Sequence, residues 1–258
     1  MWTLATVIFC GCKWLTWRRR RVHGASPWLQ AAYLFAWPGL DAVAFLRPRP
    51  QVARPTFATW IAGLSKLMIG MILLFLVARR VPVDFPYVAG WIGMVGLILI
   101  LHFGAFDLLS STWRRMGVDA RPLMNAPLVA TSLSEFWGKR WNTAFRDLTY
   151  RYLFRPLTTR MGATMAVLVG FVFSGVVHDV VISVPARGGY GGPTVFFILQ
   201  GAGLLIERTR WGRQAGLGNG WRGWLFTMLM LLAPIGLLFH RPFVVSIIVP
   251  FLLAIGAL

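Results

Sequence analysis

MGATMAVLVGFVFSGVVHDVVISV, residues Met161–Val184, is an apolar run that contains one histidine and one aspartate. A helix needs about 20 apolar residues to cross a hydrocarbon core, so this run predicts a membrane-spanning helix. His178 falls inside it, and ionisable side chains within a membrane usually face the bundle interior or a water-filled cavity. Gly170, Ser174 and His178 recur at four-residue spacing and therefore share one helix face. Small residues at this spacing favour close helix–helix contact, so we expect His178 to pack on protein rather than lipid.

The rest of the chain has the same apolar character. The whole chain has 258 residues, 57% of them hydrophobic, and a net charge of +18. Soluble domains are usually roughly 45–50% apolar, so the composition predicts an all-α polytopic membrane protein, in one integral-membrane domain over residues 1–258. The arginines cluster in short loops between apolar runs, which is typical of loops facing anionic headgroups. The charge therefore indicates topology and argues against nucleic-acid binding.

Hydropathy predicts seven or eight membrane segments. The candidates are Trp2–Trp17, Pro27–Leu46, Phe57–Val77, Pro86–Leu109, Met161–Val184, Thr194–Ile206, Trp224–Phe239 and Phe243–Leu258. The second is ambiguous, because Trp37-Pro38-Gly39 interrupts it and arginines flank it on both sides (Arg18–Arg21, Arg47, Arg49, Arg54). It fits a re-entrant or interfacial hairpin, or a complete span. Ser110–Arg160 and Glu207–Arg222 are the loops richest in arginine, so we expect both on the cytoplasmic face. High arginine, alanine and tryptophan usage suggests a bacterial inner membrane.

The segment before the histidine run, TSLSEFWGKRWNTAFRDLTYRYLFRPLTTR (Thr131–Arg160), mixes aromatic and charged side chains. Trp137 and Trp141 recur at helical spacing beside basic residues, as in an interfacial amphipathic helix. The Asn142 amide could donate to a developing oxyanion, although an asparagine here is more often a cap or a structural bond. The basic side chains, which are Lys139, Arg140, Arg146, Arg151 and Arg155, could bind cofactor phosphates or lipid headgroups.

For His178 the residues themselves leave two interpretations open. A histidine in this position can hold a proton near neutral pH and act as a general base, or it can bond structurally to a neighbouring helix. Ser174 as a nucleophile is disfavoured, because such serines lie on exposed turns with an oxyanion hole. Asp179 lies about 100° around the helix from His178, so we expect it to pair with a loop arginine or to orient a neighbour. No pair of histidines has metal-ligand spacing, so no metal is expected.

SLSEFWGKRWN, then LFRP, then FSGVVHD together resemble the wax-synthase branch of the membrane-bound O-acyltransferase family. The matching positions are Ser132, Leu133, Glu135, Phe136, Trp137, Gly138, Arg140, Trp141, Asn142, Ser174, Gly175, His178 and Asp179. The resemblance covers a core of about residues 132–208. Some family members carry histidine at the position of Asn142.

The resemblance implies that acyl-CoA, a co-substrate rather than a bound cofactor, enters from the cytoplasm and a lipophilic alcohol enters from the bilayer. His178 would take the hydroxyl proton as the oxygen attacks the thioester, and Asn142 would position or polarise the acyl group. The acyl-CoA side would include Trp137, Lys139, Arg140, Trp141 and Arg146. The supporting positions would be Ser174, Asp179 and Glu135.

Two alternatives stay open from the sequence. The same family chemistry could act on another hydroxyl, such as that of a glycolipid, a sterol-like lipid or a secondary metabolite. The chain could instead be a transporter or scaffold with His178 as a proton relay. The relay is disfavoured because no inverted repeat is visible and the match over Phe136–Asn142 would be unexplained. The sequence does not determine an oligomeric state.

Overall fold

The computed structural model describes residues 1–19, 22, 24–47 and 51–258. Over these residues the chain is 77% helical and has no strand, which confirms the predicted all-α class. The helices are α1 (Trp2–Arg19), α2 (Pro27–Phe35), α3 (Ala42–Leu46), α4 (Phe57–Arg80), α5 (Pro86–Arg115), α6 (Leu133–Glu135), α7 (Thr143–Ala186), α8 (Gly192–Arg208), α9 (Arg210–Gln214), α10 (Gly220–Leu238) and α11 (Arg241–Ala254). Of the predicted flanking arginines, Arg20, Arg21 and Arg49 lie outside the described residues.

Among the described residues, four helices are long and apolar enough to cross a membrane, namely α4, α5, α7 and α10. They coincide with four of the predicted spans and confirm an integral membrane protein. The total of seven or eight segments is not confirmed and stays a prediction. Helix α1 contains Lys13 and ends in two arginines, and α8 has only 17 residues. The single-domain prediction is likewise untested.

The ambiguous stretch Pro27–Leu46 contains the two short helices α2 and α3, of 9 and 5 residues. Neither is long enough to cross a bilayer alone, since a helix rises 1.5 Å per residue. The loop between them is held by a buried lysine, because Lys13 Nζ donates to the carbonyls of Trp37 at 2.7 Å and Gly39 at 2.5 Å. These residues belong to a compact unit of residues 2–124, 143–147 and 252–258.

Within that unit, α4 and α5 pack closely at glycines. A Cβ atom added at Gly70 would lie 2.8 Å from the carbonyl oxygen of Gly96, so larger residues would force the helices apart. Lys66 on α4 and Asp107 on α5 form an ion pair of 2.8 Å. A paired charge is the form in which ionisable groups are tolerated inside a membrane.

The second compact unit comprises residues 125–142 and 148–251, together with Met1. Its main feature is the packing of α8 on the later part of α7, after a bend at Gly162, whose φ is 80°. A Cβ atom at Gly175 would lie 2.6 Å from Thr194 Cα, and one at Gly201 would lie 3.2 Å from Phe171. These pairings show that the two helices run antiparallel. The close approach is at Gly175 rather than at Gly170, where a Cβ atom would meet nothing within 4 Å.

The core of this unit joins residues 132–142, called the motif or motif segment below, to three helices. It contains Ala130, Leu133, Phe136, Val167, Leu204, Met228 and Leu231, with Trp137 and Trp141 packed against it. The two tryptophans therefore contribute to the core of the unit, which goes beyond the interfacial role that their spacing predicted.

Candidate active site

The start of the motif segment is fixed by two caps. Ser132 Oγ accepts from the backbone N–H of Glu135 at 2.9 Å, which is the usual role of an N-cap serine. The carboxylate of Glu207, buried at 6% exposure, accepts from the N–H groups of Leu133 at 2.7 Å and Ser134 at 2.9 Å. The C-terminal end of α8 is thereby attached to the motif. The sequence analysis did not select Glu207, because its partners lie far away in the chain.

Glu135 and Arg140 form the next contact and close the turn of the motif. Arg140 donates to Glu135 Oε1 through Nε at 2.9 Å and through a terminal nitrogen at 2.7 Å. Donation from the N–H of Thr131 and from Arg140 lowers the pKa of the Glu135 carboxyl. Arg140 also donates to the carbonyls of Asn125 and Ala126. Its contacts therefore hold the motif together, and a role in binding phosphate stays a prediction.

The π-helical turn Phe136–Arg140 ends at the Trp141–Asn142 pair. The backbone N–H of Trp141 donates to the Phe136 carbonyl at 2.9 Å, and the rings of these two residues stack with centroids 5.5 Å apart. Asn142 has a φ of 41°, in the left-handed region where asparagine and histidine are several-fold enriched. The left-handed backbone thus offers a conformational reason for asparagine at position 142, in addition to its predicted role toward the acyl group.

The His178 ring is held in one orientation. Its Nδ1 lies 2.7 Å from the carbonyl oxygen of Ser174, and a carbonyl only accepts, so Nδ1 carries a proton. In the neutral ring the lone pair is then on Nε2. The side chain is half-buried, and its ring centroid lies 4.5 Å from that of Phe197 on α8. The bond is made by the backbone carbonyl of Ser174 and not by its hydroxyl. This contact therefore does not activate the serine as a nucleophile.

Asp179 fixes the beginning of α8. Its Oδ1 accepts from Ser183 Oγ at 2.8 Å and from the N–H of Gly191 at 2.9 Å. Its Oδ2 accepts from the N–H of Thr194 at 3.0 Å and from the Thr194 hydroxyl. Of the two predicted roles, these contacts match the orientation of a neighbouring segment rather than pairing with an arginine.

His240 extends the Asp179 network. Its Nδ1 accepts from the N–H of Phe243 at 3.2 Å, so Nε2 carries the proton of the neutral ring and donates to Ser183 Oγ at 3.1 Å. Ser183 in turn donates to Asp179. A Cβ atom at Gly189, where φ is 70°, would lie 2.2 Å from the His240 ring, so only glycine fits there. Burial lowers the pKa of His240, and the charge of Asp179 opposes that shift.

An aromatic bridge, formed by Trp137 and Phe197, connects the motif to the histidine. The Trp137 ring packs on Phe136 at 5.0 Å and on Phe197 at 5.6 Å between centroids. Phe197 then packs on His178. The structure thus brings together the two parts that the sequence analysis selected, although Phe197 itself carried no sequence signal.

Comparison with known proteins supports the resemblance found in the sequence. The family described as "Membrane bound O-acyl transferase family" matches residues 120–199, which contain both the motif and His178. The chain is 32% identical over 138 residues to the probable long-chain-alcohol O-fatty-acyltransferase 7 of Arabidopsis thaliana, covering 48% of this chain and 40% of that protein. It is 37% identical over 101 residues to the long-chain-alcohol O-fatty-acyltransferase of Simmondsia chinensis, covering 36% and 29%. The part of the chain that contains the motif and His178 is therefore similar to the membrane-bound O-acyltransferase family.

Other predicted site residues of this chain differ in their surroundings. Lys139 is exposed. Arg146 forms an ion pair with its neighbour Asp147 at 2.5 Å, and both belong to the first compact unit described above. The roles of these residues toward acyl-CoA therefore stay predictions. Within the described part of the chain, no group of three potential metal ligands occurs.

Proposed function

We propose that this protein transfers an acyl group from acyl-CoA to the hydroxyl of a long-chain alcohol, which yields an ester and free CoA. The observation that carries the proposal is the orientation of His178, whose Nδ1 is fixed on the Ser174 carbonyl and whose Nε2 lone pair remains for a proton. The names of the two plant relatives support a fatty acyl donor and a long-chain alcohol acceptor. The chain covers less than half of the length of each.

In the proposed reaction, His178 Nε2 takes the hydroxyl proton while the alcohol oxygen attacks the thioester carbonyl carbon. The carbon–sulfur bond then breaks, and the CoA sulfur receives the proton from Nε2. The Ser174 carbonyl accepts from Nδ1 throughout and stabilises the charged ring between these steps. A positioned general base contributes about 10²–10⁴-fold to a rate. Asn142 and the CoA-side residues of the motif would orient the acyl group.

We propose further that the motif faces the cytoplasm, from which acyl-CoA would enter. The bonds from the motif N–H groups to Glu207, and from Arg208 to the Ser134 hydroxyl at 3.0 Å, support this orientation. They bring the start of the arginine-rich loop after α8 beside the motif, so both basic segments lie at one end of α8. A bacterial inner membrane is the membrane that the composition favours.

The test uses membranes that contain the protein, labelled acyl-CoA and a panel of alcohols. We expect neutral ester with long-chain alcohols, and a loss of about 10²-fold or more in His178→Ala. His102→Gln is the matched control, because His102 is a histidine of a membrane-spanning helix in the other compact unit. If ester forms only with another class of hydroxyl compound, that class would replace the long-chain alcohol as the proposed acceptor. Retained turnover in folded His178→Ala would contradict the proposed mechanism.

A further inference from the structure

The indole N–H of Trp137 is an unused hydrogen-bond donor at the candidate site. Its Nε1 atom is buried and makes no hydrogen bond with any of the described residues. An indole N–H can only donate, so no acceptor role explains it. Buried tryptophan N–H groups usually find a partner, because leaving one unpaired costs free energy. Packing with the described residues therefore accounts for the ring of Trp137 but not for its N–H.

The surroundings of this donor connect it to the proposed base. The Trp137 ring lies among Phe136, Phe171 and Phe197, with centroid distances of 5.0, 5.8 and 5.6 Å. Phe197 also contacts His178 at 4.5 Å. The donor and the base thus pack on the same phenylalanine ring, in aromatic surroundings of low polarity. A hydrogen bond to a developing charge is worth more in such surroundings than in water.

Two neighbouring side chains of the motif already have partners within the chain. Arg140 donates to Glu135 and to two backbone carbonyls. Asn142 has a left-handed backbone and further interactions within the chain. Of the side chains in the motif with a donor, Trp137 is therefore the one whose buried donor the fold leaves unpaired.

We propose that the Trp137 N–H donates to the carbonyl oxygen of the acyl thioester during transfer, an inference that rests on the acyl-transfer function proposed above. When the alcohol oxygen adds to the carbonyl carbon, negative charge develops on that oxygen, and the indole N–H stabilises it. When the carbon–sulfur bond breaks, the carbonyl re-forms and the charge leaves with the sulfur. Trp137 keeps its own proton in every step, and His178 moves the proton from alcohol to sulfur.

The experiment replaces the N–H and retains the ring. Trp137→Phe removes the donor, and β-(3-benzothienyl)alanine incorporated at position 137 replaces N–H by sulfur at nearly the same size. We expect kcat to fall about 10²–10³-fold in both, with a much smaller change in KM for acyl-CoA. Trp211→Phe is the control, because that tryptophan is 83% exposed, and it should keep wild-type turnover.

An infrared measurement adds a readout that a merely structural role would not change. With carbonyl-¹³C acyl-CoA bound to His178→Ala, the thioester carbonyl band should lie at lower wavenumber when tryptophan occupies position 137 than when benzothienylalanine does. Identical bands, or wild-type kcat in the benzothienylalanine variant, would overturn the proposal for Trp137 alone. A wild-type protein that forms no ester with any alcohol would instead overturn the acyl-transfer function on which it rests.

Discussion

Replacing Asp179 by asparagine should release the beginning of α8 from the helix that carries His178. The carboxylate uses both oxygens, one for Ser183 and Gly191 and the other for Thr194. Asparagine offers one acceptor oxygen and one NH₂ group. Whichever way the amide is turned, its NH₂ group faces a backbone N–H, so one pair of bonds is lost and two donors meet.

The magnitude follows from the bonds that disappear. A hydrogen bond to a charged group contributes roughly 1.5–3 kcal/mol, and two are removed, while the amide oxygen retains the other pair. Because the gap can relax and admit water, we expect a net loss of about 3 kcal/mol at the turn. Phe197, three residues after Thr194, packs on His178, so turnover should fall along with the local stability.

Hydrogen exchange at the amides of Gly191 and Thr194 measures this loss directly. A loss of about 3 kcal/mol corresponds to exchange roughly 100-fold faster, since every 1.4 kcal/mol is tenfold. Asp84→Asn is the control, because Asp84 is an exposed loop residue, and it should leave both amides protected. Unchanged protection in Asp179→Asn would refute the reasoning, because the carboxylate would then not be what holds α8.

Three further predictions concern the packing and the caps. Glu207→Ala removes the acceptor of two motif N–H groups and should lower the free energy of unfolding by about 2–3 kcal/mol. Glu207→Gln should be intermediate in thermal melts. Equal melting of the wild type and both variants would contradict the capping role of Glu207. Gly175→Val adds a side chain where even a Cβ atom would lie 2.6 Å from Thr194 Cα, so it should lower the free energy of unfolding by about 1–3 kcal/mol. Gly170→Ala meets open space and should be nearly neutral in the same melts. Burial lowers the pKa of His240 below its unfolded value. Its contribution to stability should therefore be complete above about pH 6.5 and be lost as the pH falls from there through the lower folded pKa. A His240→Gln variant with the same acid dependence of melting would exclude this histidine as the cause.

The candidate site could be predicted in part because some of its signals are local. The motif and the His178 run are contiguous stretches, so the family resemblance and the membrane-spanning helix were visible in the sequence and are confirmed. The role of Arg140 was not visible, because the sequence shows a basic residue without showing that Glu135 engages it. The segment count also stayed open, since hydropathy does not reveal that the amino group of Lys13 donates to backbone carbonyls.

By itself, the sequence determined the helical membrane class, the resemblance to a family and the position of the histidine, because these depend on the apolar content and order of short stretches. Only the tertiary structure decided what surrounds that histidine. Glu207 caps a helix 74 positions earlier in the chain, Asp179 fixes the beginning of α8, and Phe197 connects His178 to Trp137. The contacts of Asp179 and His178 with α8 arise because α7 and α8 run antiparallel and approach closely at Gly175. Side chains remote in sequence then meet at hydrogen-bonding and ring-packing range.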